Sequence, residues 1–564
     1  MARPFFLRAP VLALLLPNLL SCGEEGPRTP PGPVGTPELR ESLFDSILAM
    51  TARREAFSAP KEESLGFEPL EAMEVLRDDV VEADSEEALF YALTRLSNAR
   101  RDRHLSVALV DLGIRPQLAD GLEAWGAPDP PDPWEAPVRF LPDYGSGEGG
   151  YFVADVAQGD ATPGLLEPGD RILSLNGLPA DELEVELGPF IRHSTIPGLR
   201  WKLAETLSRR TGALPPSFLQ ESLVVEARKE DGTRVTETFS YEDPTRLTWA
   251  GSPDPDYPGF QQAWSSATYD LFLPRDDARL LILQWHRFEG SSLVEDVDRL
   301  VAFARDRGLL DHAVLFDATR SGGGSLGAYA VQRLQPRPFK TTFGTLRLSD
   351  VIEPFIQMKR EELAREASDP ARRTGGTGRR SEDPDAGLEG ARETVDDGSW
   401  LLDWLENDVF QALDRRDSVT APVPFKLAHA SKESDGILQP APVHFRGPLV
   451  VLSGPHGGSH LDQFMSIVKD NGLGHILGMP AGGYSNTWEW EEVLFFPGTN
   501  RPVAGFMWSI GHTIRPNGEV LEGNPARVDE WIPLTAENVG SYHRILLDRA
   551  LAHLERIGFQ AYRR

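Results

Sequence analysis

Ser459 stands in a sequence context that suits nucleophilic catalysis. An apolar segment typical of a buried strand, 449–452, leads into a glycine-rich turn, 453–458, and the residues after Ser459 have helical apolar spacing up to Asn471. A serine at a helix N-terminus is surrounded by unpaired backbone N–H groups, which favour developing negative charge. The alternative is that Ser459 only caps the helix, a role that serine often has.

Acyl transfer by a serine also requires a base, a group that orients the base, and N–H donors for the oxyanion. His104 is the candidate base, and it lies in a segment, 102–107, where we expect a strand to start. Glu522 is the candidate for the group that polarises the base and the nucleophile. The run Gly322 to Gly324 offers backbone N–H groups that a carbonyl oxygen can approach. The alternatives are a structural histidine and an ordinary loop carboxylate, and spacing alone does not bring these residues together.

The size and charge of the chain narrow the classes of function. A length of 564 residues predicts two or three domains, and an apolar content of 40% is sufficient for globular packing. The formal net charge of −29 argues against nucleic acid as a partner, because phosphate binding requires clustered Lys and Arg.

Cys22 is the only cysteine, so no disulfide can form within the chain. Two arginines, an apolar run at 11–16 and small residues before Cys22 describe a secretory signal rather than a membrane span. The pattern resembles a bacterial lipoprotein signal, in which the cysteine is acylated, and an ordinary signal peptide with an incidental cysteine is the alternative. We expect an exported protein that is anchored to a membrane by lipid, on the periplasmic or outer-membrane face in a diderm bacterium.

The remaining chain divides by composition and periodicity. The apolar patterns predict helices in the N-terminal region, antiparallel strands with a hairpin at Asp231-Gly232 in the next region, and alternating strands and helices from Leu280 onward. The predicted regions are a signal peptide (1–21), a flexible tether (22–37), an N-terminal helical region carrying His104 (38–125), a β-rich domain (126–245), the first part of an α/β core (270–360), a disordered insertion (361–398) and the second part of the core (399–564).

Several motifs resemble known families. The stretch 164–177, with its Leu-Glu-Pro-Gly-Asp turn and terminal Asn-Gly, resembles a PDZ domain, a module that captures chain ends by strand addition. A generic β-barrel module is the alternative. The order of parts, together with the segments 317–326, 450–472 and 478–484, resembles the tail-specific and tricorn-type serine peptidases. That resemblance implies a crotonase-like (ClpP/crotonase) α/β core with an inserted PDZ-like domain and an N-terminal helical segment.

The resemblance also bears on the catalytic base. Tail-specific members use a serine–lysine dyad, but the position of the lysine is Tyr484 here, and a phenol is a poor substitute for an amine base. The tricorn-like branch uses serine, histidine and glutamate, and the matching positions are Ser459, His104 and Glu522. His460 follows the nucleophile where tricorn has an aspartate that recognises basic side chains, so that specificity does not transfer.

We therefore expect a serine endopeptidase that hydrolyses peptide bonds of exported proteins without metal or organic cofactor. Its oxyanion or substrate would be bound near Gly322, Gly323, His460 and Tyr484, and its partners would be peptides or proteins. The first alternative is an inactive peptidase-like PDZ lipoprotein that only binds, and it is motivated by the missing lysine and by the altered neighbours Arg103 and His460. The second alternative is a crotonase-type acyl-CoA enzyme. An exported protein would rarely encounter acyl-CoA, which argues against this alternative.

Overall fold

The computed structural model describes residues 34–109, 134–145, 150–157, 164–215, 217–249, 255–288, 290–368, 399–424, 432–486, 488–499 and 502–561. The predicted signal peptide, the lipidation residue Cys22 and most of the tether lie outside the described residues. The first eight residues of the predicted insertion are helical, and the rest of it lies outside the described residues. In the described part of the chain, no helix has both the length and the apolar character that crossing a bilayer requires.

Helices form most of the N-terminal region. They are α1 (Pro37–Arg54), α2 (Ala59–Leu65), α3 (Pro69–Glu74), α4 (Arg77–Val81) and α5 (Glu86–Asn98). Thr36 and Ser85 cap the first and last of these, because each side chain accepts a hydrogen bond from a backbone N–H in the first turn. A short strand, β1 (Val107–Leu109), then pairs antiparallel with a strand near residue 505 and ties the region to the rest of the protein.

The strand in this region begins later than predicted. Residues 102–106 form a turn rather than a strand, because the Asp102 carboxylate accepts a hydrogen bond from the backbone N–H of His104 at 2.9 Å. His104 therefore projects from a turn between α5 and β1.

A second region is rich in β structure and has its own hydrophobic core. Its strands are β2 (Val138–Pro142), β3 (Tyr151–Val156), β4 (Arg171–Leu175), β5 (Leu178–Pro179), β6 (Ser222–Arg228) and β7 (Arg234–Ser240), and its helices are α6 (Leu183–Leu187), α7 (Ile196–Leu207) and the 3-10 turn Gly188–Phe190. The sheet order is β2-β3-β4-β6-β7, with β5 beside β4. The predicted hairpin is present as β6 and β7, paired in register from Ser222↔Ser240 to Arg228↔Arg234.

A seven-stranded sheet forms the centre of the third region. The elements of this region are β8 (Phe260–Ser265), β9 (Tyr269–Pro274), β10 (Leu280–Trp285), α8 (Gly290–Asp306), β11 (Ala313–Asp317), α9 (Gly327–Leu334), β16 (Leu449–Ser453), α13 (His460–Asp470), β17 (Gly474–Gly478) and β21 (Glu530–Trp531). The strand order in the sheet is β21-β17-β16-β11-β10-β9-β8. The strands β10, β11, β16, β17 and β21 run parallel, and β9 pairs antiparallel with both β10 and β8. This is the mixed α/β architecture that the alternating pattern predicts.

Both faces of this sheet are buried, which explains the continuous apolar runs of its strands. Along β11, Val314 and Phe316 pack into the core formed with α8, α9 and α13. Ala313 and Leu315 face the opposite core, which contains the C-terminal helix α14 (Tyr542–Arg556). Because β11 and β16 are parallel neighbours, with Asp317 opposite Leu452, the turns that follow them lie side by side at one edge.

Smaller elements complete the described fold. They are β12 (Phe339–Lys340), β13 (Phe343–Gly344), α10 (Ile352–Ser368), α11 (Ser399–Asp403), a π-helical turn (Trp404–Val409), α12 (Phe410–Asp414), β14 (Val423–Pro424), β15 (Ile437–Leu438), β18 (Glu489–Phe495), β19 (Pro502–Ser509), β20 (Thr513–Ile514) and the 3-10 turns Pro244–Arg246 and Val539–Ser541. The sheet β1-β19-β18 packs against the N-terminal helices. Through β1, this sheet positions the turn with His104 near the carboxyl ends of the central parallel strands, where Ser459 lies.

Candidate active site

Ser459 occupies the tight turn between β16 and α13. Its backbone has φ 60° and ψ −123°, a region that residues other than glycine rarely adopt, and its side chain makes no capping hydrogen bond to the helix. The simple capping role is therefore not seen. A strained serine between a buried strand and a helix is a recurrent geometry for exposing a nucleophilic hydroxyl.

Contacts with the loop around Tyr484 hold this strained turn in place. The backbone N–H of Ser459 donates to the carbonyl oxygen of Tyr484 at 2.6 Å. A Cβ atom on Gly458 would lie 2.1 Å from the Tyr484 ring, so the turn can approach the tyrosine only because residue 458 is glycine. The serine is thus fixed between the glycine turn and the 482–484 loop.

His104 meets Ser459 in the structure. Its Nε2 atom lies 3.3 Å from the Ser459 Oγ atom, across 355 positions of sequence. Its ring packs edge-on against Tyr484, with 5.1 Å between the ring centroids. The distance is at the long end of the range for a base and nucleophile without substrate, and it allows Nε2 to accept the hydroxyl proton.

Two carboxylates lie near the Nδ1 atom of His104. Its Nδ1 atom is buried and makes no hydrogen bond to a described residue. The Glu489 Oε1 atom lies 3.9 Å from Nδ1, and the Asp102 Oδ1 atom lies 4.0 Å from it. Asp102 also accepts hydrogen bonds from the His104 backbone and from Asn486. The Glu489 carboxylate accepts no hydrogen bond from a described residue, and a shift of about 1 Å would bring its Oε1 atom within hydrogen-bond distance of Nδ1.

Glu522 belongs to the same cluster but does not hydrogen-bond to His104. Its carboxylate accepts from the backbone N–H of Ser485 at 2.8 Å and pairs with the Lys61 ammonium at 3.2 Å. Both ionic side chains are almost fully buried. Burial raises the pKa of Glu522 and the neighbouring Asp102 raises it further, whereas Lys61 opposes the shift. Any influence of Glu522 on His104 therefore acts across the cluster.

The same cluster is the only grouping of potential metal ligands found in the described residues. Asp102, His104 and Glu522 bring ligand atoms within 4.8 Å of one another. Their remaining interactions suit a hydrogen-bonded network better than a cation site, because Lys61 already neutralises Glu522 and Asp102 is engaged by two N–H donors.

Two backbone N–H groups are placed to receive an oxyanion. Gly323 lies directly against the serine, since a Cβ atom there would be 2.6 Å from the Ser459 Cβ atom. Its N–H donates to no described residue, and neither does the N–H of His460 at the start of α13. The prediction for Gly322 is wrong in this respect, because its N–H donates to the carbonyl oxygen of His286 at 2.7 Å and is not available.

The side chain of His460 is a structural group. It is buried, and its Nε2 atom accepts a hydrogen bond from the Gly327 N–H at 2.5 Å, where α9 begins. Burial lowers the pKa of His460 to about 3, so the ring is neutral at physiological pH. Only the backbone of His460 can therefore contribute to binding, which corrects any expectation that its side chain contacts substrate.

Tyr484 contributes structure rather than a base. Burial raises the pKa of its hydroxyl above the ordinary value, so the phenol stays protonated. Its ring lies between His104 and the guanidinium of Arg103, whose Cζ atom is 4.4 Å from the ring centroid. The residue at the position of the lysine in tail-specific members thus supports the histidine.

The sequence did not predict a role in this site for four residues. They are Asp102, Glu489, Lys61 and Arg103, the last of which packs on the Tyr484 ring. Asp102 could have been found, because a carboxylate two positions before a histidine is a common turn-forming partner. Lys61 and Glu489 carry no local signal, since they reach the site from α2 and β18.

Comparison with solved structures finds the same overall fold in other proteins. The crystal structure of mature CPAF matches with a TM-score of 0.64 at 14% sequence identity, covering 92% of this chain and 97% of that chain. Mature CPAF complexed with lactacystin matches with a TM-score of 0.64 at 15% identity, covering 92% and 98%. A more distant match is the photosystem II D1 C-terminal processing protease, with a TM-score of 0.37 at 11% identity and coverage of 89% and 97%.

The sequence itself matches no protein-family model and no curated protein. At such low identity, the two CPAF matches establish the fold and leave the activity to be argued from the site. They confirm a mixed α/β core combined with a β-rich region across nearly the whole chain.

Proposed function

We propose that this protein is a serine endopeptidase that forms an acyl-enzyme on Ser459 with His104 as the base. The observation that carries the proposal is the 3.3 Å contact between His104 Nε2 and Ser459 Oγ, made by residues 355 positions apart. The N–H groups of Gly323 and His460, which donate to no described residue, are the candidates for the third requirement of acyl transfer, the binding of the oxyanion.

The mechanism follows from these positions. The Ser459 hydroxyl attacks the peptide carbonyl while His104 Nε2 accepts its proton, and the resulting oxyanion is stabilised by the N–H groups of Gly323 and His460. His104 then donates the proton to the leaving amine, which departs and leaves an ester on Ser459. Water, deprotonated by His104, hydrolyses that ester and restores the hydroxyl. Asp102, Glu489 and Glu522 stabilise the imidazolium that forms in both steps.

Finer aspects of the proposal rest on resemblance together with the fold. The similarity to CPAF and the sequence motifs support a crotonase-like core and a PDZ-like identity for the β-rich region. Two observations support the histidine-based branch of the tail-specific and tricorn-type peptidases over the dyad branch. Tyr484 stands where the dyad members have their catalytic lysine, and the His104 ring contacts the Ser459 hydroxyl. On this proposal the substrates are peptides or proteins, and the β-rich region presents their chain ends.

Active-site labelling provides the direct test. A fluorophosphonate probe should label the wild-type protein, should fail to label Ser459→Ala, and should label His104→Ala at least 100-fold more slowly. Ser418→Ala is the matched control, because Ser418 is exposed in the loop after α12 and its loss should leave labelling unchanged. Circular dichroism would establish that each variant is folded.

The outcome separates the proposal from its alternatives. Absence of any Ser459-dependent adduct in the folded protein would favour a peptidase-like protein that only binds. Labelling without cleavage of a peptide library, but with turnover of acyl-CoA esters, would favour a crotonase-type enzyme. Lactacystin, which is bound in one CPAF structure, offers a second probe that should compete with the fluorophosphonate if the sites are alike.

A further inference from the structure

A cavity of about 210 Å³ opens beside the turn that carries His104. It lies between the N-terminal helices and the β-rich region, and its walls combine aromatic rings, hydroxyl or amide side chains and three cations. The cations are Arg103, Arg192 and Lys202, and no Asp or Glu occurs among the described residues that line the cavity. Its positive lining stands out in a protein with a formal net charge of −29.

Arg103 connects this cavity to the reactive serine. Its Nη1 atom donates to the carbonyl oxygen of His456 at 3.3 Å, in the glycine-rich turn that ends at Ser459. Its guanidinium also stacks on the Tyr484 ring, which contacts His104. A peptide bound with its scissile carbonyl at Ser459 would therefore pass next to the cationic cavity.

Arg192 and Lys202 reach the cavity from the β-rich region. Thr195 fixes this wall, because its hydroxyl donates to the carbonyl oxygen of Gly482 at 3.0 Å, in the loop that also holds Tyr484. Arg192 and Lys202 are both partly exposed, so a bound group could contact them. The region that we propose to present chain ends thus supplies two of the three cations.

The positive charge of Arg103 acts on both Arg192 and Lys202. Burial lowers the pKa of Arg192 to about 10, and the positive charge of Arg103 adds to this effect. Burial also lowers the pKa of Lys202, and Arg103 again adds to it, although the Glu205 carboxylate at 3.3 Å partly compensates. An anion in the cavity would relieve this repulsion and would be attracted by all three groups.

We infer that this cavity is a subsite for an acidic side chain of the peptide substrate. Arginine is suited to this role, since its planar guanidinium can donate two parallel hydrogen bonds to a carboxylate. The neutral polar side chains of Ser97 and Asn98 line the same cavity, and each has an N–H or O–H that can be donated to a carboxylate. The inference rests on the proposed peptidase function for the reaction that the bound peptide undergoes, but binding itself does not require turnover.

Binding to the Ser459→Ala protein tests the inference without chemistry. Fluorescein-labelled peptides would be prepared in matched pairs, with Glu replaced by Gln at one position or with the free C-terminus replaced by an amide. The Glu member of its pair should bind at least 10-fold more tightly than the Gln member by fluorescence anisotropy, and the advantage should fall as salt rises. A preference confined to the C-terminal pair would overturn the acidic-side-chain subsite and would indicate a site for the chain end instead.

Variants in the cavity provide the second arm. Arg192→Gln and Lys202→Gln should each reduce the preference for the carboxylate peptide, and Arg192→Glu should abolish or invert it. Arg200→Gln is the matched control, because Arg200 lies on the same helix as Lys202 but pairs with Glu184 and does not line the cavity. It should leave the preference unchanged.

The possible failures are distinguishable. Equal binding of both members of every pair would overturn the subsite, and fluorophosphonate labelling of Ser459 would still support the peptidase. A carboxylate preference that Arg200→Gln reduces as much as Arg192→Gln would also overturn it. Preference without any labelling of Ser459 would support the subsite while contradicting the proposed reaction.

Discussion

At the scale of single residues, catalysis depends on how closely the backbone of Gly323 approaches Ser459. A Cβ atom at position 323 would lie 2.6 Å from the Ser459 Cβ atom and 3.1 Å from its Oγ atom. Gly323→Ala should therefore displace the serine or the N–H donor, and we expect kcat for peptide cleavage to fall by about 100-fold or more. Steady-state kinetics with one fluorogenic peptide would measure this.

Gly322 provides the matched control for that substitution. A Cβ atom at position 322 would have its nearest contact at 3.7 Å, an ordinary van der Waals distance, and its N–H is already engaged by His286. Gly322→Ala should keep kcat within a few-fold of the wild-type value. Equal losses in the two alanine variants would mean that the loop tolerates no side chain and that no oxyanion donor has been identified.

The carboxylates around His104 should also differ in what their removal does. Glu489 has a carboxylate oxygen 3.9 Å from Nδ1 and can orient the imidazole, so Glu489→Gln should lower kcat about 10-fold or more with little change in thermal stability. Glu522→Gln would leave the buried Lys61 ammonium unpaired, and we expect a loss of about 3–5 kcal/mol in unfolding free energy.

Denaturant titration and steady-state kinetics on the same preparations separate these two roles. The double variant Lys61→Met with Glu522→Gln should recover part of the stability that the single substitution loses, because no buried charge remains unpaired. If Glu522→Gln were fully stable and inactive while Glu489→Gln were fully active, the glutamate that acts on the histidine would be Glu522.

At the scale of elements, the strand order of the parallel sheet brings the glycine turn and the serine together. The turns after β11 and β16 lie at one edge because these strands are parallel neighbours, and this explains why Gly323 meets Ser459. The alternating pattern from Leu280 onward predicts these strands and the helix after Ser459, and the structure contains them. Local apolar periodicity was sufficient here because both faces of the sheet are buried.

The approach of His104 could not be derived from local pattern. It depends on antiparallel pairing of β1 with β19, in which Val107 lies opposite Phe506. Such pairing between distant segments leaves no periodic signal in either of them, and only the family resemblance predicted the meeting. For the same reason the contributions of Lys61 and Glu489 were not foreseen.

The start of α13 contains a buried acid with an unusual titration. Asp462 accepts a hydrogen bond from the backbone N–H of Tyr484 at 3.0 Å, yet burial raises its pKa to about 8. Between its ordinary pKa near 4 and about pH 8, the unfolded chain releases this proton and the folded protein retains it, so stability contributed by the protonated carboxyl is lost as pH rises. A neutral Asp462 also leaves the helix N-terminus free to stabilise an anion at Ser459.

Asp462→Asn removes this titration. The melting temperature of the variant minus that of the wild type should increase from pH 5 to pH 8, as measured by thermal unfolding in matched buffers. Glu295→Gln is the control, because Glu295 is an exposed residue of α8 and its replacement should leave the pH dependence unchanged. A constant difference for Asp462→Asn would show that the carboxyl is ionised in the folded protein throughout.

At the scale of the whole molecule, three regions contribute to one site. The N-terminal helices supply Lys61 and the turn with His104, the β-rich region supplies Arg192 and Lys202, and the central sheet supplies Ser459. The composition of the chain predicted several regions but contained no information on their convergence. The composition also gave no indication of the cationic cavity, since the net charge of −29 is a sum over the whole chain.

The N-terminal sequence adds a prediction on where this site operates. We propose that Cys22 is acylated after export, which would hold the protein at a membrane by lipid. Cys22→Ala should shift the protein from the membrane to the soluble fraction and abolish incorporation of radiolabelled palmitate in cells. The double variant Cys22→Ala with Ser459→Ala should also be soluble, which would show that release of the Cys22→Ala protein does not require cleavage by Ser459. Ser459→Ala alone should remain lipidated and bound to the membrane. A Cys22→Ala protein that stays with the membrane through a carbonate wash would contradict lipid anchoring at this residue.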